Sequence, residues 1–562
     1  MELLLLSAAG GLPYPNWYTD VSYYKGKEGG GYLAASVQTR VQGVHRKYIL
    51  PQLQETLLES TEAEPKFKME YEELLRVAGG FGIYQVLVYL FYILTMTIMS
   101  GNMLFMAFAE IQCSKDNVNG SGTLDVNGTC EDDFYSVAMD FNLVGDRSYL
   151  INMIISLQFA GIFLGAVVGG QFSDRFGRLL TSRLSTTCVV LVSLLSGFCR
   201  TVEQFAAARF FIGFFMGPMK AADILFTECV LPEHRLVFEF GGWPITYIWN
   251  TGIAMLTKDW RSYVWAVNIV APVILVLSFL VLESPKWYLS LGRFQEAKAV
   301  LHKIVQMNGL LRPSSKTKKL CDKVSISMGA VQPAIEKRLS KPKPTYVDLF
   351  RQGSATKYLI VLLCASAVDS SAYYGLFFNA AKLSGSVAMN MIYMMLVRCS
   401  VQSCAVLLDT RCSRLGRKVL LTVGGTLVLS AFGCFTLAHW TGLAVRFPIL
   451  LTVASVVGVT GTASVGGMAS MLLLIESTPT PMRNMAMSLC SSLGRLSTMI
   501  SPQIFLLYNI WRPGPYLLYF VAILTCLVST LLIVPETKGS YLPDFHDEKP
   551  STKPTVNTDF VE

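Results

Sequence analysis

The sequence predicts an all-α integral membrane protein with twelve transmembrane helices, arranged as two six-helix repeats with both termini in the cytoplasm. Twelve apolar stretches of about 20 to 28 residues lie between Ile83 and Val534, and each is long enough to cross a hydrocarbon core of about 30 Å as a helix. Charged motifs also recur in the two halves of the chain. Only 15% of the 562 residues are charged and 52% are hydrophobic, a balance that excludes an ordinary soluble domain.

The six predicted spans of each half are separated mostly by short loops. Because lipid offers the backbone no hydrogen-bond partner, each span must be helical. The predicted spans are 83–108, 149–170, 179–199, 205–229, 237–256 and 263–282 in the N-terminal half, and 358–380, 387–408, 419–438, 447–475, 485–508 and 515–534 in the C-terminal half. The predicted domains are a cytoplasmic segment 1–78, a six-helix bundle 79–282, a basic cytoplasmic linker 283–357, a second bundle 358–534 and a cytoplasmic tail 535–562.

The distribution of Lys and Arg predicts the orientation, because basic residues are retained on the cytoplasmic side during insertion. With the N-terminus inside, 34 of the 47 Lys and Arg lie in cytoplasmic segments and 8 lie in outside loops. The net charge of +8 is therefore a topology signal, and we expect no nucleic-acid partner. The remaining five basic residues lie within spans, at Arg183, Arg209, Lys220, Arg398 and Arg495.

The loop 109–148 gives independent support for this orientation. It carries two N-glycosylation sequons, at Asn119 and Asn127, and sequons are used on the lumenal side of the membrane. Cys113 and Cys130 lie in the same loop and would form a disulfide in an oxidising compartment, although two reduced thiols are the alternative. We expect this loop to be extracellular and glycosylated.

The linker 283–357 separates the two sets of six spans. Its excess of Lys and Arg suits a cytosolic segment close to an anionic leaflet. An amphipathic stretch at 294–305 predicts one short surface helix within it.

Charged motifs after corresponding spans indicate an internal duplication. The offsets between matching motifs are 239, 248 and 253 residues, the last of them between Glu283 and Glu536. Matching motifs in one order and on one predicted membrane side favour a six-plus-six repeat. The recurring residues are Asp174, Arg175, Gly177, Arg178, Glu228 and Arg235 in the first half, and Arg414, Gly416, Arg417, Glu476 and Arg483 in the second.

Two like halves related by an axis along the membrane normal can rock around a midplane site, as secondary transporters do. We expect the recurring charges to pair across neighbouring helices at the cytoplasmic end and to control how readily that end opens. The alternative is that they are retention charges and turn residues, since Gly177 and Gly416 suit tight connections. Retention alone would require Lys or Arg, but not a Glu seven residues before Arg235 and Arg483.

The chain resembles the major facilitator superfamily and, more narrowly, the organic cation, anion and zwitterion transporters among the solute carriers. The resemblance extends from about Gly79 to Pro543. It rests, beside the recurring motifs above, on Gly80-Phe-Gly-Ile-Tyr-Gln85, Arg209-Phe-Phe-Ile-Gly213, Asp259-Trp-Arg261, Glu283-Ser-Pro-Lys-Trp287, Tyr373-Tyr-Gly-Leu and Pro535-Glu-Thr-Lys-Gly539.

The resemblance implies alternating-access movement of small organic ions at the plasma membrane without ATP hydrolysis. The sequence agrees, because it contains no Gly-x-x-x-x-Gly-Lys-Ser/Thr phosphate loop. It also offers no metal cluster and no nucleophile, acid and base constellation at plausible depth, so we expect no cofactor, no metal and no enzyme activity. The expected partners are a small organic ion and the lipid bilayer.

Arg398 and Arg495 are the main indication of the substrate. Each lies midway along a predicted span of the C-terminal half, where a charged residue usually faces a wet cavity or a partner. In the resembled family, the position in the eleventh span tends to be basic in anion and zwitterion carriers and acidic in cation carriers. A guanidinium can hold a carboxylate through two parallel hydrogen bonds, so these residues favour an anionic or zwitterionic substrate.

Structural roles for the same residues remain open. Asp369 could neutralise Arg398 or Arg495 as a buried pair that never contacts substrate. Aromatic side chains could stack on a flat substrate, but they also commonly fill helix contacts. The aromatic candidates are Trp243, Tyr247, Tyr373, Tyr374, Phe377 and Phe378.

Two departures from the family pattern suggest an atypical member. Leu179 stands where a second Arg is usual, and Ser413 stands where the second half would carry an Asp. We therefore keep two hypotheses, a secondary or facilitative transporter of small organic ions and a receptor or scaffold with a transporter fold. Organic cations remain the alternative substrate class.

Overall fold

The computed structural model describes residues 71–111, 134–143, 145–310, 314–339, 345–351, 354–379, 383, 385–411, 416–478 and 482–536. Within these residues the secondary structure is helical, apart from one isolated bridge between Tyr135 and Asp259. Some predicted features lie outside the described residues, namely the sequons at Asn119 and Asn127, the cysteines Cys113 and Cys130, and Arg414.

The helices of the N-terminal half follow the apolar stretches, and most of them end at Gly or polar residues. Gly177, with φ of 104°, separates the helix that ends at Phe176 from the helix that begins at Arg178. Pro232 begins a helix at a position where its missing N–H leaves no bond unmade. The helices are α1 (Ile83–Ala109), α2 (Tyr149–Phe176), α3 (Arg178–Ser196), α4 (Val202–Met219), α5 (Ala221–Cys229), α6 (Pro232–Thr257), α7 (Trp260–Val267) and α8 (Ala271–Leu280).

The linker is more helical than the sequence indicated. Beside the short helix Pro285–Ser290, it contains α9 (Phe294–Asn308) and α10 (Ser314–Leu339). The end of α9 is bound to the start of α1, because the Asn308 amide accepts the Tyr84 N–H at 3.0 Å and donates to Gln85 Oε1 at 3.1 Å. The amphipathic stretch at 294–305 predicted α9, but these long-range contacts have no local sequence signal.

The C-terminal half continues with helices that match the predicted spans closely. They are α11 (Ser354–Phe378), α12 (Val387–Arg411), α13 (Arg417–Thr441), α14 (Pro448–Thr460), α15 (Gly467–Ser477), α16 (Arg483–Phe505) and α17 (Gly514–Ile533).

Eight helical segments of the described residues are long and apolar enough to cross a membrane. They are α1, α2, α3, α4 with α5, α7 with α8, α11 from Thr356, α13 and α17. The remaining four predicted ranges are also helical, but their helices α6, α12, α14 with α15, and α16 lie outside that set. The all-helical, multi-pass class is confirmed, and the number twelve stays a prediction.

Several predicted spans contain irregular turns, and one of these is the 3-10 turn Asn268–Val270 between α7 and α8. Lys220 separates α4 from α5 just after Pro218, which removes a backbone donor from the helix. A π-helix, Gly461–Gly466, joins α14 to α15 near the middle of that span. Gly461, Gly466 and Gly467 favour this irregularity. Turns of π-helix occur frequently at functional sites.

Glycines allow α2 and α4 to pack at backbone distance. A Cβ atom on Gly161 or Gly165 would overlap the backbone of Phe210 or Phe214, and one on Gly217 would overlap the backbone of α2. Helices in lipid gain little from the hydrophobic effect, so close backbone packing of this kind holds them together.

We expect Gly165→Ala to destabilise the protein, because the added methyl group overlaps the α4 backbone and overpacking costs about 1 to 3 kcal/mol. The measurement is the thermal unfolding midpoint of the detergent-purified chain. Gly170→Ala, on the same helix with no atom within 4 Å of the added Cβ, is the matched control. Equal midpoints for the two variants would contradict the packing described here.

Candidate functional site

Polar and aromatic side chains meet in the middle of the C-terminal half. Arg398 on α12 donates a hydrogen bond from Nη1 to the Tyr373 hydroxyl on α11 at 3.0 Å, and its guanidinium lies 5.5 Å from the centre of the same ring. Both side chains are partly exposed. Arg398 therefore lies where the sequence predicted it, with a phenol as a neighbour.

Arg495 lies near the middle of α16 and is partly exposed. It is within electrostatic range of the Tyr374 hydroxyl. Within the described residues it forms no hydrogen bond or ion pair. The guanidinium therefore keeps its donors available on the same side of the bundle as Tyr374.

Asp369 does not neutralise either arginine. It lies on α11 and takes part in no hydrogen bond or ion pair of the described residues. The suggestion that a buried Asp369 pair explains Arg398 or Arg495 is therefore wrong for this structure. One turn along the helix separates Asp369 from Tyr373, and that spacing alone did not reveal which side chain the arginine would contact.

The aromatic candidates form one cluster at the contact between the N-terminal and C-terminal halves. Tyr373 and Tyr374 are partly exposed, with ring centres 4.9 Å apart. Phe377 is fully buried and packs edge-on against Tyr247 of α6 at 5.4 Å. Phe377 thus fills a contact between the halves, whereas the tyrosines present accessible surface.

Trp243 of α6 belongs to the part of this cluster that the N-terminal half supplies. Its ring stacks with Tyr247 at 5.8 Å, and the Lys220 ammonium lies 4.8 Å from its centre. Lys220, which the sequence left without a role, also lies 3.6 Å from Asp223. The N-terminal half therefore supplies a cation next to an aromatic ring.

One end of the interface between the halves is closed by polar contacts. Gln503 on α16 donates to the Ser156 hydroxyl of α2 at 3.0 Å and to the Asn152 carbonyl at 3.4 Å. Phe159 of α2 packs edge-on against Tyr374 at 5.0 Å. By the predicted topology this is the extracellular end.

At the opposite end, a carboxylate caps α3. Glu283 accepts hydrogen bonds from the backbone N–H groups of Arg178 at 2.9 Å and Leu179 at 3.0 Å. Burial raises the pKa of the Glu283 carboxyl, and the backbone donors oppose that shift. A side chain at Gly177 would collide with this carboxylate, so glycine is required there by space as well as by its positive φ.

The C-terminal half repeats this arrangement. Glu536 accepts the Arg417 N–H at 2.8 Å and the Lys418 N–H at 3.1 Å, and a side chain at Gly416 would collide with it. Sequence analysis used Glu283 and Glu536 to detect the repeat but did not place them among the gating residues. Their 253-residue offset was the signal that could have done so.

In each half, an arginine also pairs with acidic residues of neighbouring helices. Arg178 lies 3.6 Å from Glu228 and 2.8 Å from Asp174, and Arg417 lies 3.2 Å from Glu476. The recurring charges therefore come together in matching pairs.

The remaining predicted gating residues occupy different positions. Arg175 is exposed, and Arg483 donates to the Ile475 carbonyl at 2.8 Å. Arg235 lies in α6, and its side chain is outside the described part of the structure.

The fold and this arrangement define a membrane transporter of the major facilitator type. The xylose transporter XylE from E. coli has the same fold: its inward-open structure matches with a TM-score of 0.58 at 16% identity, covering 82% of this chain and 98% of that one. The sequence pattern of the sugar (and other) transporter family matches residues 83–548. The chain belongs to this family.

Curated relatives narrow the resemblance. Solute carrier family 22 member 1 of Bos taurus is 27% identical over 415 residues, covering 73% of this chain and 69% of that protein. Human organic cation/carnitine transporter 2 is 27% identical over 427 residues, covering 74% and 71%. The expected resemblance to organic-ion solute carriers is confirmed, and these proteins are transporters rather than enzymes.

We expect the double variant Ser156→Cys, Gln503→Cys to be cross-linked by a short bifunctional thiol reagent, because the native side chains touch. Cleavage at a protease site inserted within 340–344 then separates uncross-linked halves on a denaturing gel. Each single-cysteine variant is the control for the native thiols. If the two halves of the double variant separate on the gel as those of the single-cysteine variants do, the contact is contradicted.

Proposed function

We propose that this protein is a secondary or facilitative transporter of small organic ions that works by alternating access. The preferred substrates are organic anions or zwitterions. The proposed topology has twelve spans, both termini in the cytoplasm and a glycosylated loop 109–148 outside the plasma membrane. The family and the name of one relative, human organic cation/carnitine transporter 2, support an organic ion as substrate.

The unpaired Arg495 is the observation that carries the preference for anions. Within the described residues it has no partner, and Arg398 lies in the same half beside Tyr373. A basic residue at the centre of a span costs about 2.5 to 3.5 kcal/mol on insertion scales. Arg209 is buried against the rings of Phe105 and Phe205, whereas Arg495 is partly exposed and has no such ring contact among the described residues. A bound carboxylate would supply both the charge and the acceptors.

Organic cations are the alternative substrate class, and two observations favour them. Human organic cation/carnitine transporter 2 has organic cations in its name, and Asp369 is an acidic residue in the same half without a described partner. A receptor or scaffold with a transporter fold is the other alternative, and complete absence of uptake would favour it.

The matching ion pairs are the proposed gate. Arg178 with Glu228, and Arg417 with Glu476, join neighbouring helices within each half at the predicted cytoplasmic end. Carboxylate caps from Glu283 and Glu536 fix the helix starts beside them. Opening of this end would require movement of these helices, so the pairs set its free energy.

We expect Arg495→Ala to lower the uptake of a labelled organic anion such as benzoate by about tenfold or more, because a hydrogen bond to a charged group contributes about 1.5 to 3 kcal/mol. Initial rates for benzoate, carnitine and tetramethylammonium separate the three substrate classes. Arg495→Lys keeps the charge but loses the two-donor geometry, so its rate should fall between those of the wild type and Arg495→Ala.

Exposed Arg200→Ala is the matched control, with surface abundance measured for every variant. Uptake of tetramethylammonium alone would replace the anion preference with the cation alternative. Unchanged benzoate uptake by Arg495→Ala would remove that residue from the site.

We expect Arg417→Ala and Glu476→Ala to have non-additive effects on initial uptake rates, because each removes the same ion pair. Coupling between contacting residues is about 0.5 to 3 kcal/mol. The exposed pair Arg293 and Glu296 on α9 is the control, and its coupling should be near zero. Additive effects at Arg417 and Glu476 would contradict the gate.

A further inference from the structure

Asp369 is a carboxylate near the middle of α11 that the proposed anion site does not use. Its side chain is partly exposed, and within the described residues it accepts no hydrogen bond and joins no ion pair. An acidic side chain inside a membrane span usually marks an ion or proton pathway. The surroundings of Asp369 decide which of these it serves.

The carboxylate faces the irregular part of the α14–α15 span. A Cβ atom on Gly466 would lie 3.8 Å from Oδ1, and one on Gly467 would lie 3.7 Å from Oδ2. These glycines end the π-helix and begin α15. Because neither has a side chain, the acid lies directly against a backbone that departs from α-helical geometry.

The helices packed around α11 bring few charges to this position. α1 and α17 contain no Asp, Glu, Lys or Arg, and α14 with α15 contains only Glu476 at its end. α16 contributes Arg483, which donates to the Ile475 carbonyl, Arg495, which is within electrostatic range of Tyr374, and Cys490, which bonds to Ser366. α12 contributes Arg398, which donates to the Tyr373 hydroxyl.

Thiols and phenols are the other titratable groups near this position. Cys526 of α17 is within electrostatic range of both Asp369 and Cys364 of α11. Tyr519 of α17 is hydrogen-bonded to the Ser371 hydroxyl at 2.7 Å. The described neighbours therefore supply no cation that holds Asp369 ionised.

We propose that Asp369 binds and releases a proton during transport, so that the protein is a proton–anion symporter. The inference rests on the proposed function, because it needs an anion at Arg495. The proton bonds to one Oδ atom as the anion binds, and it leaves the same atom when the anion is released. No other bond forms or breaks, and no group is oxidised or reduced.

Charge balance supports this pairing of ions. One proton on Asp369 and one monovalent anion at Arg495 add no net charge, so the loaded and empty carrier cross the membrane with the same charge. An isolated carboxylate in an apolar medium is also relieved of its desolvation cost by taking a proton. Asp369 and Arg495 then serve different ions within one half.

Infrared difference spectra of the purified full chain in nanodiscs test the proton site without any substrate. We expect a protonated-carboxyl band whose intensity falls as the pH is raised. Asp369→Asn should remove one component of this band, while the component from the buried Glu283 carboxyl stays. Asp223→Asn is the matched control and should retain both components, because Asp223 pairs with Lys220. An Asp369→Asn spectrum with the same titrating band as the wild type, or no such band in the wild type, would overturn the proposal.

Proteoliposomes test the coupling, with labelled benzenesulfonate as the probe, because a sulfonate stays ionised and does not cross lipid as a neutral acid. A gradient that is acidic outside should raise the initial rate of uptake several-fold in the wild type, and the Asp369→Asn rate should not respond to the gradient. Uptake that ignores the gradient in the wild type overturns the symport while leaving the proposed transporter intact. Absence of uptake for every organic ion overturns the transporter and with it the symport.

Discussion

The structure depends on the absence of water from the membrane core, which leaves each polar group to find its partner inside the protein. Hydroxyl side chains meet this constraint locally: Thr95, Thr251 and Thr436 each donate to the carbonyl four residues earlier in their own helix. Asn250 solves it over a longer distance by donating to the Thr97 carbonyl of α1. Arg209 is buried without a hydrogen-bond partner in the described residues and lies over the Phe105 ring at 3.8 Å. Asp369 and Arg495 are partly exposed and also lack a described partner, and function is argued from these two.

The same constraint explains the helix ends. At the start of α3 and of α13, a carboxylate from a distant part of the same half accepts backbone N–H groups that have no partner within their helix. Each carboxylate needs a glycine opposite it, since a side chain there would collide. The repeat in the sequence therefore corresponds to one contact that occurs twice. Glu283 connects the sixth predicted span to the third, and Glu536 connects the twelfth to the ninth.

The helices and their order could be predicted from the sequence, because apolar length and the placement of Lys and Arg are local signals. The positions of Arg398 and Arg495 within their helices could be predicted for the same reason. The hydrogen bond from Arg398 to Tyr373 and the burial of Phe377 depend on how two helices rotate against each other. Local periodicity does not determine that rotation. The π-helix beside Asp369 has only its glycines as a signal, and several other glycines in the chain stay in α-helical geometry.

The bond between Asn308 and the start of α1 has a mechanical consequence for the linker. Helix α9 is fixed to the N-terminal half at this bond, and α10 is held to α9 through His302 and Ser325 at 3.1 Å. Both helices then travel as a rigid extension of that half. If the two halves rotate against each other as proposed, α9 and α10 keep their orientation to the N-terminal half throughout the cycle.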